Sequence, residues 1–405
     1  MKKATQLALG VLTAVGGFFD VGNIATCTQA GAHFRFQLIW SLILATIVVI
    51  FLIEMSGRFA AVTKKALPDA IREHLGFSFW FVPFLILTAV HLLVLAAEIG
   101  GICFALHLIT GLPIQVWALP VAILVWLFLW RSTFNAIENS TSILGLITLC
   151  FVVAAIWHHP PVHEVLAGSL PSMPSHDPAN YWFIAVSIVG AVIAPYLFYF
   201  YSSGAVEDEW DSTYIPINRV VAVIGMGFGS IISVGAIIVA GIVLAPRGIK
   251  VSDYHQAALM LTEIFPFWGY LLFAISMAIA CLGAAVEVAL SMSYTFAQTF
   301  GWNWGEDLEP IKDARFSLVY TIALLLASLF MVAGIDPLKL TIMTMATNAF
   351  VLPFVTIPFL LLMNDRKLLR DASNGIISNI ATAAIVVLAL VLAVVSIPLT
   401  FMGGS

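Results

Sequence analysis

Long apolar runs joined by short polar links make up most of this chain. Crossing a bilayer takes about 20 apolar residues. On that ruler eleven stretches qualify, near 7–29, 36–57, 79–107, 113–131, 140–158, 181–204, 219–245, 266–298, 316–334, 338–363 and 375–401. The one long polar link is HHPPVHEVLAGSLPSMPSHDPAN, between the fifth and sixth runs. Two runs break their own pattern. The first contains GGFFDVGNIATC over 16–27, with Asp20 in an apolar setting and Gly22-Asn23 beside it. An aspartate at the centre of a span costs about 2.5–3.5 kcal/mol on insertion scales, and Gly-Asn weakens the helix that carries it. The sixth contains GAVIAPYLFYFYS, with Pro195 in mid-span. Proline there removes one backbone hydrogen bond and disturbs the preceding turn.

Composition supports the membrane reading. The chain is 61% hydrophobic and 10% charged over 405 residues, with a mean hydropathy of +1.04; soluble domains carry roughly 25% charged residues. A net charge of −5 gives no basis for nucleic-acid binding. All four cysteines fall inside apolar runs and read as small core residues, without a disulfide framework or a paired metal motif. The positive-inside rule orients the chain. With the N-terminus cytoplasmic, 13 of the 17 Lys and Arg residues lie inside; Arg35, Arg247, Lys250 and Lys339 lie outside. The expected protein is therefore a multi-pass protein of the cell's inner (plasma) membrane, with its C-terminus outside.

Broken spans at corresponding places of two inverted halves point to a transporter's binding site. Spans one and six are five apart, and an odd repeat enters the bilayer from the opposite side. Asp20 and Asn23 stand at i and i+3, so both oxygens can reach one side of a loosened turn. A carboxylate, an amide and freed carbonyls make an oxygen-rich cation site. Neither HExxH nor GxSxG occurs, and no nucleophile with its base is evident, so an enzyme is not expected.

The residues AVGGFFDVGNIAT resemble the first-helix Asp-Pro-Gly-Asn motif of the Nramp divalent-metal transporters. GAVIAPYLFYFYS is similar to their sixth-helix Met-Pro-His stretch, and LAAEIG, NAIEN and FVLPFVTIPFLL extend the likeness along the chain. The resemblance implies an all-α membrane protein of eleven transmembrane helices with a LeuT-like inverted repeat, helices 1–5 against 6–10, discontinuous at helices 1 and 6. The units would be 1–158, an extracellular loop 159–180, 181–363, and 364–405 for helix eleven and the tail. It implies metal ligation by Asp20 and Asn23, with carbonyls from Gly17 and Ala191.

The departures refine the expectation. The family's sixth-helix methionine is Ala194 here, the pattern of the Nramp-related magnesium transporters; loss of a thioether removes a preference for softer metals and leaves room for hydration water. The histidine after the proline is Tyr196; tyrosine as a residue type ordinarily titrates near 10, so it is no proton relay at neutral pH. The aspartate of the third helix is Leu95, while its glutamate survives as Glu98. Val21 replaces the motif's proline. Glu287 in the eighth span and the hydroxyls of Tyr196 and Tyr199 are further cavity candidates. The expectation is a monomeric, cofactor-free carrier importing Mg²⁺, with Mn²⁺ as a lesser substrate, by alternating access without obligatory proton coupling. The rivals are a proton-coupled Mn²⁺/Fe²⁺ importer and an amino-acid or amine carrier of the same architecture.

Overall fold

A computed structural model describes residues 19–131, 145–174, 176–305, 310 and 313–402. Among the described residues every regular element is helical. In chain order they are α1 (Val21–Phe34), α2 (Ile39–Thr63), α3 (Leu67–Leu75), α4 (Phe77–Thr110), α5 (Ile114–Arg131), α6 (Cys150–Trp157) and α7 (Val162–Gly168). After these come α8 (Pro178–Val192), α9 (Pro195–Glu207), α10 (Ile215–Val243), α11 (Tyr254–Thr262), α12 (Gly269–Phe300), α13 (Ala314–Val332), α14 (Pro337–Met363), α15 (Arg366–Leu369) and α16 (Ile376–Met402).

Eight of the described spans are long and apolar enough to cross a membrane, counting α8 with α9 as one, and nine if the bent pair 366–372 and 376–388 is also joined. The expected first and fifth spans run into residues outside the described set. Where span limits can be compared, they shift by a few residues for physical reasons. The second span was expected to stop at 57, before a charge. It continues to Thr63 because Arg58 is buried with Glu54 at 3.1 Å one turn back, and Arg219 joins the same carboxylate at 3.2 Å. Two short helices, α3 and α11, occupy stretches read as plain links, and the polar loop holds α7.

Aspartates start many of the helices. Asp177, Asp253, Asp336 and Asp365 each accept from a backbone N–H in the first turn of α8, α11, α14 and α15, satisfying donors that a helix start leaves open. Glycines in the left-handed region stop α4 at Gly111 and α12 at Gly301, a conformation side chains resist.

The helices divide into a core and a shell. Among the described spans the α8–α9 pair is the most enclosed, with 83% of its apolar window buried, against 28% for α5. The exposed faces of α5 and α13 carry Val116, Ile123, Leu124, Leu325 and Leu329; so much exposed apolar surface suits lipid and not water. At the centre, α1 packs against α10, α8 and α14, and α4 runs along α12. Helices α8 and α14 approach closely at Gly190, where a Cβ would lie 1.8 Å from the Met345 carbonyl oxygen. Between α8 and α9, Ile193 (φ −106°, ψ 54°) and Ala194 (φ −66°, ψ 128°) leave the helical conformation.

Candidate functional site

Asp20 is extended, at φ −107° and ψ −173°, and is the N-cap of α1. Its Oδ1 accepts from the Asn23 backbone N–H at 2.9 Å and from Asn23 Nδ2 at 3.1 Å. The surface aspartates of α11 and α14 cap in the same way, so capping alone gives Asp20 no special role. Burial sets it apart: Asp20 is 2% exposed and Asn23 1%. A carboxylate that deep needs compensation, and a helix N-terminus supplies only part of it.

A second acid shares the same helix start. Glu98 on α4 is fully buried, and its Oε2 lies 3.4 Å from the Val21 backbone nitrogen. Asp20, Glu98, Glu287 on α12 and Tyr196 on α9 are electrostatic neighbours. Four sequence candidates thus lie in one electrostatic neighbourhood around the start of α1. Their polar atoms are not all used by the protein, since Glu98 Oε1 and the Tyr196 hydroxyl are buried without a protein hydrogen-bond partner.

The interruption between α8 and α9 contributes backbone. Pro195 has no N–H to offer the Ala191 carbonyl four residues back, where a helix would place that bond. The neighbouring Gly190 carbonyl accepts instead from Asn348 Nδ2 of α14, at 3.2 Å. Ala191 and Ala194 are both buried here. Gly17 lies outside the described residues, as does Glu138 of NAIEN. The Tyr199 hydroxyl is engaged elsewhere: it donates to the Val355 carbonyl at 2.8 Å, and the ring packs on Trp80.

Three residues that the sequence left without a role join the site. Met345 on α14 stands over Gly22, where a Cβ would be 2.5 Å from its Sδ and 3.1 Å from Asp20 Oδ1. Only a glycine at 22 lets the thioether come so close. Asn348, one turn on, lies 3.7 Å from the same sulfur and keeps a buried Oδ1 without a protein partner. Ser233 on α10 has its Oγ 3.4 Å from Asn23 Oδ1 and 3.1 Å from the Gly229 carbonyl. The usable signal was glycine: Gly22 and Gly190 mark where α14 presses on the two unusual segments. His91 on α4 packs 6.5 Å from the Tyr196 ring with both nitrogens bonded, to the Leu87 carbonyl and to Ser291.

Around one buried carboxylate the fold therefore gathers a second acid, an amide, a thioether and a stretch of interrupted helix. This donor set suits a cation held by oxygen atoms with a soft atom in reach. Among the described residues no three His, Cys, Asp or Glu side chains converge as a ready metal cluster, so the backbone and amide donors matter.

Comparison with known proteins bears on the family and the fold. The chain is 24% identical over 366 residues to the divalent metal cation transporter MntH of Deinococcus radiodurans, covering 87% of this chain and 80% of that protein. It superposes on the Eremococcus coleocola manganese transporter with a TM-score of 0.80 at 19% identity, over 96% of this chain and 85% of the other. It also superposes on MhsT, solved with L-phenylalanine, with a TM-score of 0.67 at 16% identity, over 96% and 98% of the two chains. At these identities the structural matches establish a shared all-helical fold. Residues 10–398 match the model of the natural resistance-associated macrophage protein-like family, and the chain is a membrane transporter belonging to that Nramp family.

Proposed function

We propose that this transporter carries divalent metal cations, with Asp20 and Asn23 as the side-chain ligands and the Ala191 carbonyl beside them. The observation that carries this reading is the buried Asp20, two per cent exposed, at the N-terminus of α1 among Glu98, Glu287 and Tyr196. The names of its relatives from Deinococcus radiodurans and Eremococcus coleocola, a divalent metal cation transporter and a manganese transporter, support the same cargo class.

Asn23 must change partners to act as a ligand. Its Nδ2 now faces Asp20 and its Oδ1 faces Ser233. A cation on Asp20 repels that NH₂ group. Turning the amide by half a rotation brings Oδ1 to the cation and Nδ2 to Ser233. The serine can serve both states: its hydrogen goes to the Gly229 carbonyl, leaving a lone pair for Nδ2. Alternating access then amounts to rearrangement of α1 and the α8–α9 pair around this point.

Ala194 supports Mg²⁺ as the preferred ion. Its methyl group offers no soft ligand and leaves space for the waters that Mg²⁺ surrenders reluctantly. One observation favours a second reading: the thioether absent at 194 has a counterpart in Met345, beside Gly22. If that sulfur reaches the ion, Mn²⁺ is preferred. Transport without obligatory proton coupling rests on Tyr196 and Leu95. Two charges crossing 100 mV release roughly 4.6 kcal/mol, twice the single-charge value, which is sufficient drive for uptake.

The test is uptake by purified protein in liposomes, with Mg²⁺ and Mn²⁺ offered separately and internal pH recorded. Saturable Mg²⁺ uptake that Mn²⁺ inhibits, unaccompanied by acidification and abolished in Asp20→Ala, is the expected result. Metal uptake that survives Asp20→Ala refutes the site. Acidification coupled to metal refutes the uncoupled mechanism.

A further inference from the structure

A second pair of ligating side chains lies away from Asp20. His107 is in the last turn of α4, just before Gly111 ends the helix, and His255 is in the first turn of α11. Their Nε2 atoms are 3.2 Å apart, with the rings edge to face. The other nitrogen of each ring is engaged: His107 Nδ1 with the Leu112 carbonyl at 2.7 Å, and His255 Nδ1 with the Tyr270 hydroxyl. A carbonyl only accepts, so the neutral His107 holds its hydrogen on Nδ1 and aims an Nε2 lone pair at His255.

We propose that His107 and His255 form a two-histidine site for a borderline divalent ion of the Zn²⁺ class, distinct from the Asp20 site. Two Zn–N bonds of about 2.0–2.1 Å at a tetrahedral angle set their nitrogens roughly 3.3 Å apart, close to the spacing observed. The backbone carbonyl behind His107 is a usual support of a metal-bound imidazole, fixing tautomer and orientation, and the Tyr270 hydroxyl holds the His255 ring from behind. Phe104 packs on both rings, at 5.6 and 5.0 Å between centroids, and holds their rotamers. His255 is exposed and His107 half-buried, so water can complete the coordination. Imidazole nitrogen suits Zn²⁺ and not Mg²⁺, which takes oxygen ligands.

Such an ion would pin α11 to the end of α4. Helix α11 also touches α14, through Tyr254 Oη and Thr341 Oγ1 at 3.2 Å, and α1, through Thr28 Oγ1 and Met260 Sδ at 3.9 Å. A pinned α11 ties three core helices together and slows any cycle that separates them. That consequence rests on the transport reading above; the binding does not.

The experiment is Zn²⁺ equilibrium dialysis with the full-length protein in nanodiscs, comparing wild type, His107→Gln, His255→Gln and the double variant. The expected result is one Zn²⁺ equivalent weakened by at least about tenfold in each single variant, with the double variant no worse. Hydrogen exchange of residues 254–262 should slow on Zn²⁺ addition in wild type alone. Unchanged Zn²⁺ binding in all variants overturns the site and leaves the pair as two imidazoles sharing a proton. In liposomes, Zn²⁺ supplied on both faces should inhibit uptake by wild type and spare the histidine variants. Equal inhibition of both overturns the pinning, whereas absence of any metal uptake overturns the transport reading and leaves the dialysis result standing.

Discussion

Replacing Gly190 with alanine tests whether α8 and α14 meet as closely as the site requires. The new Cβ would sit 1.8 Å from the Met345 carbonyl oxygen, 2.8 Å from its carbon and 2.9 Å from the Ala349 nitrogen. All three are backbone atoms, so no side chain can swing away. Comfortable C···O contact begins near 3.3 Å, and the helices must part by about 1.5 Å. Overpacking of this kind costs about 1–3 kcal/mol. Parting also loosens the bond from Asn348 Nδ2 to the Gly190 carbonyl, about 1 kcal/mol more. Better helix propensity returns roughly 1 kcal/mol, so a net loss of about 1–3 kcal/mol is expected. The control is Gly204→Ala in α9, where nothing lies within 4 Å; it should be neutral or stabilising by about 0.4–1 kcal/mol. Thermal unfolding in detergent reads the stability of both, and liposome uptake reads the function. Gly190→Ala should melt earlier and transport more slowly, since the Ala191 carbonyl and Met345 move with the helices. Wild-type melting and uptake in that variant would refute the close approach and the site built on it.

Met345→Leu should shift preference from Mn²⁺ and Cd²⁺ towards Mg²⁺ in competition uptake, and Ala194→Met should shift it the other way; an unchanged ratio in both means no thioether meets the ion. Ser233→Ala leaves the turned Asn23 amide without an acceptor, so the apparent KM for metal should rise by about fivefold, the equivalent of one hydrogen bond of about 1 kcal/mol, with little change in maximal rate. Asp69 on α3, outside the apolar spans, has its carboxyl pushed up to about 6 by burial, against the pull of Arg72. A raised carboxylate stabilises the fold below its unfolded value of 3.8 and loses that contribution as pH rises to about 6. Wild type should therefore lose more stability than Asp69→Asn between pH 4 and 6, and parallel melting curves would contradict this.

What the sequence made legible was whatever violated its own local rule. Asp20 and Pro195 stood out because a span has no ordinary use for either, and the fold brings the segments around them together beside Glu98 and Glu287. Helices α3 and α11 stayed hidden because nine residues of mixed polarity look like a link until neighbours cover one face. Met345 stayed hidden for a different reason. A methionine in an apolar span is ordinary core, and only the packing of α14 on Gly22 and Gly190 gives it a place beside Asp20. His107 and His255 are 148 residues apart, and no local pattern pairs residues at that distance.

The acid and the irregular backbone share a depth because each offsets the other's cost. Uncapped N–H groups at the start of α1 would be expensive in an apolar interior, and Asp20 and Glu98 both face them. A helix start balances only about half a unit of negative charge, so two buried carboxyls beside it can ionise together only where a cation offsets the remainder. The excess is what a divalent cation would neutralise. The same excess predicts the order of severity among variants. Removing Glu98 should weaken metal binding yet leave Asp20 with its ligand geometry. Removing Asp20 takes away the cap, the Asn23 partner and the ligand together, so Asp20→Ala should be the more damaging change in both uptake and melting. Equal losses from the two would mean that the carboxylates act as one pooled charge, with no distinct ligand between them.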